Sequence, residues 1–355
     1  GFEQAFRNFG GSALIFSGGL SFGIYHLGVA KALWEQQLLT TVISGSSMGA
    51  IVAAAICTRN DEELADFFHF PEQIHLEAMK RAKLLEMVKS RKLLDLKQLL
   101  VHIETNVPSI TFKEAYEHSG RVLNVTVSPT RSRQKPRVLN HLTAPDVMVT
   151  HSALASCAMP PGYPAVMLHE RDRSGAVVPY MPTERWIDGS LHGDVPMLRL
   201  SRLHNVNHSI VSQANPHILP FIQQERSTGP VALTWHVFSS MVHAQATEVL
   251  GASRNLWRSS PAQALLDQAH AMTRQHYLGD INIQFPFQPA LYRKMLSNPD
   301  LEDLKQYIRL GEQATWPQIA IIRDQTRLSR AFEGVIAKLT RHMEKKPNKP
   351  RPSPD

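Results

Sequence analysis

The first informative stretch of the chain is a short apolar run, Ser12-Ala-Leu-Ile-Phe16, that stops at Ser17-Gly18-Gly19. Apolar residues then return at helical spacing from Phe22 to Leu33, so the pattern predicts a strand, a glycine-rich turn and a helix. Thr41-Val-Ile-Ser44 begins a second such unit. It runs into Gly45-Ser46-Ser47-Met48-Gly49 and then a small apolar helix from Ala50 to Ile56. Two strand–turn–helix units in succession predict an α/β fold with a mainly parallel sheet covered by helices.

Further along, Glu77 to Glu104 carries apolar residues at helical spacing. Thr111 and Glu114 form a capping box for another short helix. Arg121 to Val127 alternates like a strand, and Arg137-Val-Leu139 is placed to pair with it across a polar turn. A small-residue helix is predicted from His151 to Met159, ended by Pro160-Pro161, and a strand from Asn207 to Ser212. Beyond Pro220 the pattern is helical through Tyr277. A late strand follows at Asp280 to Phe285, then a helix from Leu301 to Ile322 interrupted at Trp316-Pro317. The lysine- and proline-rich end from Lys345 is expected to be disordered.

Composition narrows the class. Of 355 residues, 43% are apolar and 19% charged, a globular balance that excludes wholesale disorder and fibrous architectures. No apolar run is long enough for a membrane-spanning helix; the most apolar tract, Val42 to Cys57, is broken by Gly45, Ser46, Ser47 and Gly49. Two cysteines, Cys57 and Cys157, form no disulfide framework and no metal-ligand spacing. The net charge of +7 points to anionic partners. Much of the excess lies between Lys80 and Lys97 and in the tail from Lys338. A solvated face or a membrane-facing surface would each account for it.

The chemistry concentrates in three places. Gly45-Ser46-Ser47-Met48-Gly49 matches G-x-S-x-G between a strand and a helix, where small flanking residues let a serine stand on a tight, strained turn. The competing reading is a structural turn with Ser47 as helix N-cap. Gly18 to Gly23 follows the first strand and could aim backbone N–H groups at an oxyanion. It lacks the G-K-[ST] and G-x-G-x-x-G patterns of nucleotide loops. Trp186-Ile-Asp188-Gly189-Ser190 supplies an acid beside a glycine, and a serine nucleophile needs a base. None of the 17 histidines occupies an evident triad position, and His192 lies too close to Asp188 along the chain. Plain structural roles are expected for His26 (helix packing), Asp194 (holding the turn) and Cys57 (core). Cys157, with no cation nearby, is expected to be an unreactive thiol.

Together these segments resemble the patatin-like phospholipase family. More narrowly, Ser17-Gly18-Gly19 through His26-Leu-Gly-Val29, Val42 to Ser47, Arg121 to Pro129, Ser156-Cys157-Ala158 with Pro161, Asn205 to His217, and Gly311-Glu312 before Trp316-Pro317 are similar to one branch. That branch holds the fungal and plant lipid-droplet triacylglycerol lipases and their bacterial relatives. The resemblance implies a three-layer αβα sandwich with a helical C-terminal extension. On that reading residues 1–11 are the remnant of an upstream segment and 12–220 the catalytic domain. Residues 221–340 are the extension, with its strand near 280–285, and 341–355 the basic tail.

The resemblance further implies a Ser–Asp dyad, with Ser47 the nucleophile and Asp188 the base. Backbone N–H groups of Gly18, Gly19 and Leu20, with Met48, would form the oxyanion hole, and Gly45 and Gly49 would flank the elbow. The activity implied is glycerolipid ester hydrolysis through an acyl-enzyme, without cofactor or metal. The implied setting is a cytoplasmic protein at an anionic membrane or lipid-droplet surface, with no nucleic-acid partner. Two departures from the family's G-G-G-x-[RK]-G pattern stand out. Leu20 replaces the third glycine, which crowds the loop. Phe22 replaces the cation, which is expected to favour neutral glycerolipids over phospholipids. The alternatives are an acyltransferase passing the same acyl group to a lysophospholipid, and a non-catalytic lipid-binding module.

Overall fold

The computed structural model describes residues 2–75, 96–131, 134–159, 163–189, 195–215, 278–286, 291 and 298–344. Most of the basic run between Lys80 and Lys97, the helices expected between 221 and 277, Pro160-Pro161, Ser190, His192, Asp194 and the chain beyond 344 lie outside these residues.

Strands β1 (Gly11–Phe16), β2 (Val42–Gly45), β3 (Val122–Pro129) and β4 (Arg137–Leu139) join β7 (Trp186–Asp188), β8 (Val206–Gln213) and β9 (Ile281–Gln284) in a seven-stranded sheet. The order is β4-β3-β2-β1-β8-β9; β4 and β7 pair antiparallel to β3, and the other pairings are parallel. Strands β5 (Leu168–Arg171) and β6 (Val177–Tyr180) form a separate hairpin.

Every residue of β1 is buried, as expected of a strand covered on both faces. Its side chains divide between two cores. Leu14 and Phe16 belong to the larger one, while Ala13 and Ile15 pack with Leu200, Val206 and Val211 on the opposite face. Helices α2 (Tyr25–Glu35), α3 (Met48–Cys57) and α7 (Val149–Ser156) contribute to the first face, and α8 (Met197–His204) covers the second. This is the expected helix–sheet–helix layering.

The C-terminal elements are integrated into that core. Strand β9 pairs with β8 in the main sheet, and Ile283, Phe285, Leu304 and Tyr307 share a cluster with Phe16 and Leu33. Helix α9 (Leu301–Thr315) lies so close to α2 that a Cβ on Gly28 would sit 1.9 Å from the Ile308 carbonyl oxygen. Lys31 and Glu312 add an ion pair at 2.5 Å. The described part of the expected extension therefore belongs to the same packed unit as residues 12–215. After the Trp316–Gln318 turn, α10 (Ile319–Gln325) and α11 (Arg327–Glu344) follow, so the helix continues past the expected tail boundary at 341. At the other end, residues 2–9 form α1, whose Phe6 and Phe9 rings meet Phe332 of α11.

Candidate active site

The parallel strands β1, β2 and β8 end at one edge of the sheet, the position where open α/β sheets bind ligands. Phe16 at the end of β1 pairs with Gly45 at the end of β2 and with Ser212 near the end of β8. The chain leaves β2 through Ser46, whose N–H donates to the Phe16 carbonyl at 3.2 Å, and turns at Ser47 into α3. Ser47 has φ 54° and ψ −128°, a region that non-glycine residues rarely occupy, and its side chain caps nothing. The structural N-cap reading is thereby excluded. The flanking glycines are required sterically: a Cβ on Gly45 would lie 2.2 Å from the Gly49 carbonyl oxygen, and one on Gly49 2.5 Å from those of Phe16 and Ser17. Ser47 is only 8% exposed, less open than an elbow serine is expected to be.

Asp188 reaches this point by an unexpected strand. Val127 of β3 pairs with Arg137 of β4 and with Asp188 of β7, and a strand residue has only two edges. Since β4 lies on the side away from β2, β7 occupies the edge that β2 leaves after Gly45. Asp188 is fully buried there, with Gly189 pressed against β3, where a Cβ would fall 2.4 Å from the Thr126 backbone.

One short segment ties the two together. The Ser47 N–H donates to the Ser156 hydroxyl at 2.9 Å, and the Asp188 N–H donates to the Ala158 carbonyl at 3.0 Å. Between them, the Cys157 thiol shares a hydrogen bond with Ser47. Burial, and then the Asp188 charge, push that thiol well above its ordinary range, so it stays protonated and is a poor nucleophile. Ser156 had no signal of its own as a lone serine in a small-residue helix; only the matched Ser156-Cys157-Ala158 segment pointed there.

The loop after β1 is held from beneath. Ser17 donates its hydroxyl to the Gly18 carbonyl at 2.7 Å and accepts the Ala214 N–H at 2.8 Å. His26, wholly buried and stacked on Phe16, has Nε2 at 3.0 Å from the Ser17 carbonyl and Nδ1 at 2.7 Å from Ser212 Oγ. A carbonyl only accepts, so Nε2 carries the proton and Nδ1 accepts from Ser212. Burial lowers the His26 pKa to about 3, which keeps this neutral arrangement fixed. Gly19 and Leu20 donate no backbone hydrogen bond among the described residues, and Met48, opening α3, has no intrahelical acceptor. Leu20 adopts φ 51°, the conformation the missing glycine would take without strain.

The argument from Phe22 does not hold. Its ring is fully buried and stacks on Phe285 at 4.6 Å, so the position faces the core, and the lack of a cation there does not discriminate between lipids. Cys57 is a core residue, its thiol pushed up to about 12 by burial. Among the described residues no cluster of three metal-ligating side chains occurs.

A model of the patatin-like phospholipase family matches residues 14–200, from β1 through the elbow and Asp188 to α8. The chain belongs to that family. Its curated relatives include triacylglycerol lipase SDP1L of Arabidopsis thaliana, 33% identical over 95% of this chain and 43% of the relative. Triacylglycerol lipase 4 of Saccharomyces cerevisiae is 34% identical over 94% of this chain and 39% of the relative. Triacylglycerol lipase ptl3 of Schizosaccharomyces pombe is 33% identical over 89% and 67%. The chain thus spans about two fifths of the length of the first two. Similarity to them runs beyond the family-model match into the C-terminal helices, in keeping with the shared core of α2 and α9.

Proposed function

We propose that this patatin-like chain is a serine lipid acyl hydrolase acting on glycerolipid esters, with triacylglycerol the leading substrate. The observation that carries this reading is the attachment of Ser47 and Asp188 to the two ends of the Ser156–Ala158 segment.

In the mechanism, the Ser47 hydroxyl attacks the ester carbonyl and its proton passes to the Asp188 carboxylate. The carbonyl oxygen becomes an oxyanion that accepts hydrogen bonds from the N–H groups of Gly18, Gly19 and Leu20 and of Met48 at the positive end of α3. Collapse breaks the ester C–O bond. The glycerol-bearing oxygen leaves with the proton held by Asp188, and the acyl group stays on Ser47. Water then attacks the acyl-enzyme, gives a proton to Asp188, and the fatty acid departs as the proton returns to Ser47. If a lysophospholipid takes the place of water, the product is a transacylated lipid.

The choice of triacylglycerol rests on the names of the relatives. A panel of radiolabelled triacylglycerol, diacylglycerol and phospholipid, run with the unaltered protein and with Ser47→Ala, tests it. Release of fatty acid from triacylglycerol by the first and not the second is expected. Release from phospholipid alone would replace the substrate, and activity surviving in Ser47→Ala would replace the nucleophile.

Such substrates reside in a lipid phase, and among the described residues no helix is long and apolar enough to cross a membrane. We place the protein peripherally on an anionic membrane or droplet surface, reached through the basic run from Lys80 to Lys97. Co-sedimentation with anionic vesicles is expected to weaken as salt rises and on reversing Lys80, Arg81 and Lys83 to Glu. Binding unmoved by both would remove this surface from the account.

A further inference from the structure

An apolar cleft of about 550 Å³, counting its open mouth, begins beside the candidate site. Ser21, which follows the Gly18–Leu20 loop, and Met48, which follows Ser47, stand at that end. One wall is a single face of α3, with Met48, Ile51, Val52 and Ala55 at helical i, i+3, i+4 and i+7 positions. At 1.5 Å per residue this wall is about 10 Å long. His102 and Asn106 of α5 (Leu96–Asn106) also line the cleft, but their polar groups are turned to each other and to His75. The Asn106 amide donates to the His102 and His75 carbonyls at 2.9 Å, and burial lowers the His102 pKa to about 4. The lining is therefore almost entirely carbon and offers nothing to a polar head group.

A second, smaller pocket of about 210 Å³, again counting its open mouth, adjoins the first. Three residues, Leu27, Phe67 and Ile74, line both, so their side chains form the partition that closes the cleft. Phe67, on α4 (Asp61–His69), is the largest of them.

We infer that this cleft takes one fatty acyl chain of the ester held at Ser47, and that the Leu27–Phe67–Ile74 partition sets the chain length it accepts. The inference rests on the reading of Ser47 as nucleophile. A linear hydrocarbon suits the cleft because its lining is apolar and reaches Met48, the residue after Ser47, whose flexible side chain can shift to admit the chain. Removing the Phe67 ring would join the two cavities and lengthen the space. Filling the Ala55 position would shorten it.

The test is a chain-length profile of kcat/KM on p-nitrophenyl esters from butyrate to stearate, with thermal unfolding measured for each variant. The unaltered protein is expected to rise with chain length and then break. Phe67→Ala should move the break to longer esters, raising the stearate rate by about tenfold, the scale on which a pocket discriminates one or two methylenes. Ala55→Leu should move it to shorter esters, with a loss that grows with chain length. If Phe67→Ala does not fold, Ala55→Leu alone decides. Profiles that superpose, or that fall equally at every length, overturn the inference while Ser47-dependent hydrolysis stands. Butyrate hydrolysis that persists in Ser47→Ala would remove the nucleophile reading and the inference with it.

Discussion

Ser47 and Asp188, 141 positions apart in the sequence, are held by the two ends of one three-residue segment: Ser47 through the Ser156 hydroxyl and Asp188 through the Ala158 carbonyl. The elbow and the β7 strand are thereby fixed relative to each other by α7 and not by direct pairing of their own strands. The largely buried Cys157 between them touches Ser47 and feels the Asp188 charge, yet remains a neutral thiol. The proposed nucleophile and base therefore share one mount, whose loss is predicted to act on rate before it acts on folding.

Ser156→Ala tests that mount. It leaves the buried Ser47 N–H without its acceptor, a loss of about 1–3 kcal/mol. We expect kcat to fall about tenfold or more with KM little changed. Equal loss in both parameters, or none in either, would show that Ser156 does not position the nucleophile.

Ser47 itself separates strain from chemistry. Ser47→Ala is expected to be inactive with a Tm within a few degrees of the unaltered protein, since one hydroxyl is lost. Ser47→Gly is expected to be equally inactive yet more stable, by about 1 kcal/mol, because glycine relieves the positive φ at a smaller entropic cost. A glycine variant less stable than the alanine variant would contradict the strained-elbow account.

The elbow was legible in the sequence because the small residues around Ser47 follow an apolar strand and precede an apolar helix. The parallel sheet was legible for the same reason, as β1 and β2 are buried runs. Strand β7 was not. Three residues, Trp186 to Asp188, carry no alternation, and the strand exists only because β3 outlasts β2 by four residues and leaves an edge to fill. The Asp-Gly pair was visible, but its glycine is required by the Thr126 backbone and not by a turn conformation. Helix α4 carried a readable capping box, Asn60 with Glu63, that periodicity alone passed over. The place of α9 in the main core was hidden, because contact between Gly28 and Ile308 is a tertiary fact.

The pH dependence of catalysis distinguishes a carboxylate base from an imidazole. His26 titrates at about 3 and is locked between Ser17 and Ser212, so it produces no acid limb near the ordinary histidine value of about 6.5. Activity is expected to persist below that value, Asp188→Asn to cost orders of magnitude in kcat/KM, and His26→Gln far less. An acid limb near 6.5 that disappears in a single His→Gln variant would assign the base to histidine.

Stability should follow the opposite trend in acid. Burial lowers His26 to about 3 and His102, His151 and His204 to about 4. Below about 6.5 the unfolded chain takes up protons that the folded chain refuses, so unfolding free energy is expected to fall as pH drops from 6.5 toward 4. Denaturant titrations across that window should show the decline, with a shallower slope in His26→Gln. A flat or rising profile would contradict the buried, neutral state of these rings.

The central claim, that Ser47 is an activated nucleophile served by Asp188, is tested most directly by intact-mass measurement after exposure to a fluorophosphonate. The account predicts one phosphonyl group per chain, mapped to Ser47, absent in Ser47→Ala and strongly slowed in Asp188→Asn. Labelling that maps to Cys157 or another side chain, or that proceeds at the unaltered rate without Asp188, would contradict it.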